Sequence, residues 1–236
     1  MQIASQQQTI ASDFELISRL LPSDGTRLLE LGCGAAFTTR RLAESLAFRE
    51  IVAMEVDRIQ HEKNLLIPDL PNVTFVYGGA EDIDLPDASI DAVIMLKSLH
   101  HVPAGVLDAA LTEIARVLRP GGLAYFSEPV YAGDFNDILR LFNDEKIVRE
   151  AAFDALCRAV DDGRFELQQE IHFNSVSRFE GFEEFDRRIL GATHSTFDID
   201  EVLYERIRSA FMPHVNREGI AEFVNPMRVD LLRRPS

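Results

Sequence analysis

The residues best suited to chemistry open the chain's first apolar run. Leu28-Leu29-Glu30-Leu31 meets Gly32-Cys33-Gly34, and a helical pattern follows from about Thr38 to Leu46. Glycines let a backbone approach a ligand where a Cβ would clash. Open α/β sheets bind ligands at the carboxyl ends of their strands. The turn therefore predicts a nucleotide-type cofactor. Gly32 and Gly34 fit the first two positions of G-x-G-x-x-G, but Phe37 holds the third. A ring there spoils close helix–strand packing against a pyrophosphate. The sequence has no G-x-x-x-x-G-K-S/T phosphate loop. Glu30, just before the first glycine, would repel a pyrophosphate and suits a cationic amino acid moiety.

Other candidates lie further along. His100-His101 follows a fourth apolar run, and Glu128, Tyr131 and Asp134 follow a fifth. The two histidines are read either as loop residues that satisfy backbone groups or as polar contacts to a substrate. Lys97 is either a surface residue at a helix start or a cofactor contact. The only cysteines, Cys33 and Cys157, give neither a disulfide framework nor metal-ligand spacing. Cys33 has no basic partner nearby in sequence and reads as packing rather than as a nucleophile. His172, His194 and His214 also lack metal spacing, and no metal is expected.

The elements that must position these residues alternate. Ser12 with Glu15 forms a capping box ahead of Phe14, Ile17, Leu20 and Leu21 at helical spacing. Strands are predicted at 27–31, 51–55, 73–77, 92–96 and 123–127, with helices at 38–46, 58–66 and 106–118. This order implies right-handed crossovers and a doubly wound, mostly parallel sheet. After Pro129 the pattern changes. Residues 131–215 read as mainly helical, with a strand near Phe165 to Phe173, and form a cap inserted after the fifth strand. This stretch holds most of the chain's phenylalanines, including Phe135, Phe142, Phe153, Phe173, Phe179, Phe182 and Phe185. Most are expected in a core, and some as walls of a pocket over the sheet. A last strand spans 219–233, and Pro226 within it suggests an edge or a bulge. The reading is one domain over 1–236, with a cofactor-binding core at about 25–130.

Glu30-x-Gly32-x-Gly34 resembles the first motif of class I S-adenosylmethionine-dependent methyltransferases, with Ala36 in place of the third glycine. Arg116-Val117-Leu118-Arg119-Pro120-Gly121-Gly122 is similar to the family's turn before the fifth strand. Val73 to Glu81 and Ser89 to Val102 resemble the segments between, as in small-molecule and quinone-biosynthesis members. The resemblance covers about residues 25 to 130. It implies a seven-stranded Rossmann-like sheet and S-adenosylmethionine as cofactor. It also implies roles. Gly32, Cys33 and Gly34 would approach the aminocarboxypropyl part, with Glu30 holding its environment. Glu55 would accept from both ribose hydroxyls, which the two oxygens of a carboxylate suit. Asp57 is the rival for that role and reads as a helix cap. Val56 would lie near the adenine face. Many relatives carry Gly-Asp-Ala where this chain has Gly78-Gly79-Ala80. The acceptor usually found at that aspartate would then come from Glu81 or Asp82, with the backbone of Ala80 on the adenine edge. His100 or His101, with Glu128 and Tyr131, would supply polar contacts to an acceptor, a histidine serving as base.

Composition narrows the partners. Lys+Arg number 24 against 39 Asp+Glu, a net charge of −15. Nucleic-acid binding needs clustered cations, so a small-molecule acceptor is expected and no nucleic acid. The pairs Arg187-Arg188 and Arg233-Arg234 read as solvated surface. No apolar run approaches the roughly 18 residues of a membrane span, and the first residues lack a secretory pattern, so a cytoplasmic location is expected. The sequence sets no oligomeric state. The competing functions are a non-catalytic binding or regulatory domain on the same fold and, less well supported, a nicotinamide oxidoreductase.

Overall fold

The computed structural model describes residues 1–4, 9–191 and 197–236. His194 lies outside them. Strands β1 (Arg27–Leu31), β2 (Glu50–Glu55), β3 (Val73–Tyr77), β4 (Ile90–Leu96) and β5 (Leu118–Pro129) alternate with helices. These are α1 (Asp13–Leu20), α2 (Phe37–Ser45), α3 (Arg58–Asn64) and α4 (Leu107–Val117). Then come α5 (Asp134–Leu139), α6 (Lys146–Asp161), β6 (Glu166–Phe179), α7 (Phe182–Phe185), α8 (Glu201–Phe211) and β7 (Ala221–Arg233). The sheet has seven strands in the order β3-β2-β1-β4-β5-β7-β6. β1 to β5 are parallel, and β7 runs antiparallel to both β5 and β6.

Residues on alternate faces of a strand explain the layers. Leu29, Leu31, Val93, Met95 and Phe126 pack with Leu111 and Ile114 of α4 and Ala155 and Leu156 of α6. Leu28, Ile51, Ala92, Ile94 and Tyr125 pack instead with Leu16 and Ile17 of α1 and Leu42 of α2. Strands covered on both sides read as continuous apolar runs, which is how they stand in the sequence. The capping box is present: Ser12 Oγ accepts from Glu15 N–H, and the Glu15 carboxylate accepts from Ser12 N–H. Asp57 is the cap of α3, accepting from the N–H groups of Ile59 and Gln60. Arg116 reaches the carbonyls of Ile83 and Leu85 at 2.7 and 2.8 Å. Its family-like motif thereby braces the loop ahead of β4.

The stretch after β5, expected as a mainly helical cap with one strand, gives part of its length to the sheet and its covering layer. α6 lies in the sheet-covering layer with α4. β6 continues past Phe173 to Phe179 because β7 pairs with it along its whole length. The cap is what remains: Ile138, Phe182, Phe185, Ile207 and Phe211 of its helices close on Phe179, Ala221 and Phe223. These come from the ends of β6 and β7 that outrun the parallel strands. Phe179, Phe182 and Phe185 are thus core of the cap, and Phe173 is core beneath α1. Pro226 sits one residue beyond β7's last partner on β5, the Pro129↔Met227 pair, so its missing N–H leaves no β5 bond unmade. On the far side, residues ahead of α1 run along β6. Asn174 N–H donates to the Thr9 carbonyl (2.9 Å), and Ala11 N–H donates to that of Asn174 (3.0 Å).

Candidate active site

The glycine turn leaves the carboxyl end of β1. Gly32 has φ +76°, and a Cβ there would lie 2.7 Å from Ser98 Cβ. The missing side chain lets the loop after β4 close over the turn, where Ser98 Oγ donates to the Leu31 carbonyl (2.9 Å). Gly34 has φ +52°, and nothing stands within 4 Å of where its Cβ would be, which leaves an open cradle. Two neighbours fix that turn. Glu55, buried at the end of β2, accepts from the N–H groups of Gly34 (2.7 Å), Val56 and Asp57 (both 2.8 Å). Asn64 of α3, also buried, donates to the Gly34 carbonyl at 2.8 Å. In sequence Asn64 looks like any polar helix residue, and sequence reasoning passed over it.

Glu30 is buried and accepts from the Thr39 hydroxyl (2.7 Å). Burial pushes its carboxyl up to about 7, against the pull of that hydrogen bond and with the Glu55 charge adding to the rise. Burial also raises the Cys33 thiol, helped by Glu30 and Glu55. A thiol held protonated is no nucleophile. Val56 is exposed beside the turn and Ala80 is buried. The Glu81 carboxylate occupies the space that a side chain on Gly79 would need, so an acid two residues on fills the place where the resemblance implies an aspartate. Lys97 departs from the rest of this set. It sits at φ +55°, a strained region for a residue with a side chain, and lines a separate cavity.

That cavity, about 340 Å³, lies beyond the carboxyl ends of β4 and β5. Its walls are apolar where Phe135, Leu139, Phe142 and Phe179 face it and polar where His100, His101, Asn136, Glu145 and Arg149 do. His100 and Glu128 are both buried. Nδ1 of His100 is hydrogen-bonded to Glu128 Oε2, whose other oxygen accepts from Leu99 N–H at 2.9 Å. Glu128 therefore holds the imidazole from behind, and His100 Nε2 faces Glu145 Oε2 at 3.8 Å. His101 lies against His100, with ring centroids 4.1 Å apart and planes tilted by 41°. Burial acts to raise the Glu145 carboxyl, but His100, Arg149 and His101 more than offset it and hold it below the ordinary range. Tyr131 is not brought to this cluster; its hydroxyl bonds Asp144. Asp134 is exposed, 3.9 Å from His214. Glu145 and Arg149 escaped sequence reasoning because only the fold brings them beside His100.

Residues 29–126 match the family described as a methyltransferase domain. Over 108 residues the chain is 40% identical to an uncharacterised methyltransferase of Mycobacterium tuberculosis, spanning 46% of this chain and 42% of the relative. Over 107 residues it is 36% identical to a fatty-acid O-methyltransferase of Mycolicibacterium smegmatis, spanning 44% and 38%. The chain thus spans less than half the length of these curated relatives. A solved structure from Bacillus halodurans shares the fold, with a TM-score of 0.66 at 16% identity over 96% of this chain and 100% of that one. Among the described residues no helix is long and apolar enough to cross a membrane. A strand order of 3-2-1-4-5-7-6, a glycine turn bound by the acid of β2 and the matching domain lead to one conclusion: residues 29–126 carry a methyltransferase domain on a sheet of the class I type, and its cofactor is S-adenosylmethionine.

Proposed function

We propose that the chain transfers the methyl group of S-adenosylmethionine to a small organic acceptor held in the cavity beyond β4 and β5. On this reading residues 25–130 bind the cofactor, 131–215 shape the acceptor site, and the reducing cytoplasm suits its two free cysteines. One observation carries it: the His100–Glu128 pair, buried together, presents an oriented imidazole to a cavity walled in part by phenylalanines.

The residues at the turn fit the cofactor. Gly34 leaves an open cradle, with Glu30, Gly32 and Cys33 around it for the aminocarboxypropyl part. Glu55 can exchange part of its backbone bonding for ribose hydroxyls, Val56 offers an apolar surface to the adenine, and Ala80 and Glu81 offer its edge a backbone N–H and an acceptor. Lys97, which lines the acceptor cavity, carries a cation suited to the cofactor carboxylate. S-adenosylmethionine supplies an already electrophilic methyl group, so the protein's main work is alignment. The phenylalanine walls orient the acceptor and exclude water. Glu128 fixes the His100 ring, and His100 or its neighbour His101 takes the acceptor's proton where the nucleophile carries one. The fatty-acid O-methyltransferase relative agrees with an acceptor that pairs an apolar body with an oxygen nucleophile.

The test is turnover of methyl-labelled cofactor with panels of fatty, aromatic and hydroxylated acids and with metabolite extracts. S-adenosylhomocysteine should form only when an acceptor is present. His100→Ala should lower kcat about 10²-fold or more while leaving cofactor affinity unchanged. A chain that binds the cofactor but turns over no acceptor would instead be a binding or regulatory domain.

A further inference from the structure

We propose that His100, His101 and Glu145 form a binding site for a divalent transition-metal ion, of the zinc class, at the head of the acceptor cavity. The inference rests on the reading of that cavity as the acceptor site. One ring nitrogen from each histidine and one Glu145 oxygen lie within 4.8 Å of one another. The separation of His100 Nε2 and Glu145 Oε2, 3.8 Å, is too long for a hydrogen bond. It is right for two ligands of one ion: with bonds of about 2.1 Å it corresponds to a ligand–ion–ligand angle of about 130°.

Two further features fit. Glu128 takes the Nδ1 side of His100, the carboxylate–histidine arrangement that orients metal-binding imidazoles and raises their basicity. Glu145 is held from behind, its other oxygen accepting from Asn143 (2.8 Å) and Oε2 from Arg149 (2.6 Å). Two imidazoles and a carboxylate are a ligand set that zinc accepts with a position left open, and here the open side is the cavity. Sequence spacing gives no sign of the site, because the two histidines are adjacent and Glu145 arrives from beyond β5.

The site narrows the acceptor to molecules whose nucleophile is a hydroxyl or carboxyl oxygen. An oxygen on the ion is more acidic than in water. Its O–H bond breaks with the proton passing to solvent, its electron pair forms the new bond to the methyl carbon, and the pair of the breaking S–CH3 bond goes to sulfur. With the ion bound, the two imidazoles hold the ion rather than the proton.

The experiment uses the full chain, stripped with a chelator and titrated with Zn²⁺ by calorimetry and with Co²⁺ by visible absorption. One ion per chain is expected, with Co²⁺ bands of a low-coordinate site. His101→Ala, at an exposed position that should not disturb folding, and Glu145→Gln should each weaken binding at least about tenfold, and Glu128→Gln about 10- to 100-fold. Circular dichroism and S-adenosylmethionine binding verify that each variant is folded. Absence of binding at millimolar ion, or binding unchanged in both His101→Ala and Glu145→Gln, overturns the site. Methyl transfer that persists in stripped protein with no ion binding overturns the site alone. No transfer in either stripped or loaded protein overturns the activity reading instead.

Discussion

At Glu55 three backbone N–H groups already share one carboxylate, so replacing it with alanine would both untie the turn and remove the proposed ribose contact. Glu55→Gln is the smaller change, because it keeps the shape and one of the two accepting oxygens while removing the charge. It should weaken S-adenosylmethionine binding by about 1.5–3 kcal/mol, the scale of hydrogen bonds to charged groups. Unchanged affinity in calorimetry would remove the ribose assignment. Glu30 makes a different prediction. Its carboxyl rises from an ordinary 4.5 to about 7, mainly through burial, so the folded chain binds that proton more tightly than the unfolded one. The stability this group confers is full below about pH 4.5 and is lost as pH rises through about 7. Glu30→Gln, which can still accept from Thr39, should flatten that decline by about 1–3 kcal/mol between about pH 5 and pH 8. Denaturant titrations across that range measure it, and parallel pH profiles for the two proteins would contradict the burial argument.

Among the elements, α1 depends on its start and the cap on its ring cluster. Ser12→Ala removes the oxygen that accepts from Glu15 N–H and should lower stability by about 0.5–2 kcal/mol. Phe211, buried in α8 against Phe182, Phe185 and Phe223, should cost about 3–5 kcal/mol as Phe211→Ala. Because the cap cluster is separate from the two sheet clusters, thermal melts should show the loss while affinity for S-adenosylmethionine stays near its original value. The alternation from β1 to β5 was readable because each element carries its own period and its own glycine or capping signal. β6 was readable only to Phe173, since Asn174-Ser175-Val176-Ser177-Arg178 is polar and becomes strand by pairing with β7. The place of α6 in the sheet layer was likewise hidden, because a helix pattern does not say which surface it will cover. At the site, the glycine turn and Glu55 were legible as local motifs. Glu145 and Asn64 were not, because their roles exist only across the folded chain.

Over the whole molecule, a formal charge of −15 repels polyanions. Part of the scarce positive charge is already neutralised internally, as where Arg233 meets Glu166 and Arg116 meets Glu113 and Asp87. Anisotropy titrations with DNA and RNA at moderate salt should therefore show no binding tighter than about 10 µM, and salt-dependent submicromolar binding would refute this. The hydrogen bonds that Thr9 and Ala11 make along β6 have a further consequence. β6 ends the sheet, and an end strand offers unpaired N–H and C=O groups to any other chain. Thr9 and Ala11 occupy two of these positions at Asn174, and Gln2 N–H bonds Glu170 Oε2 (2.7 Å) further along the strand. Removing residues 1–11 should leave the cofactor turn intact while baring the outer rim of the sheet, so that the shortened protein self-associates edge to edge and loses solubility on concentration, as light scattering would register.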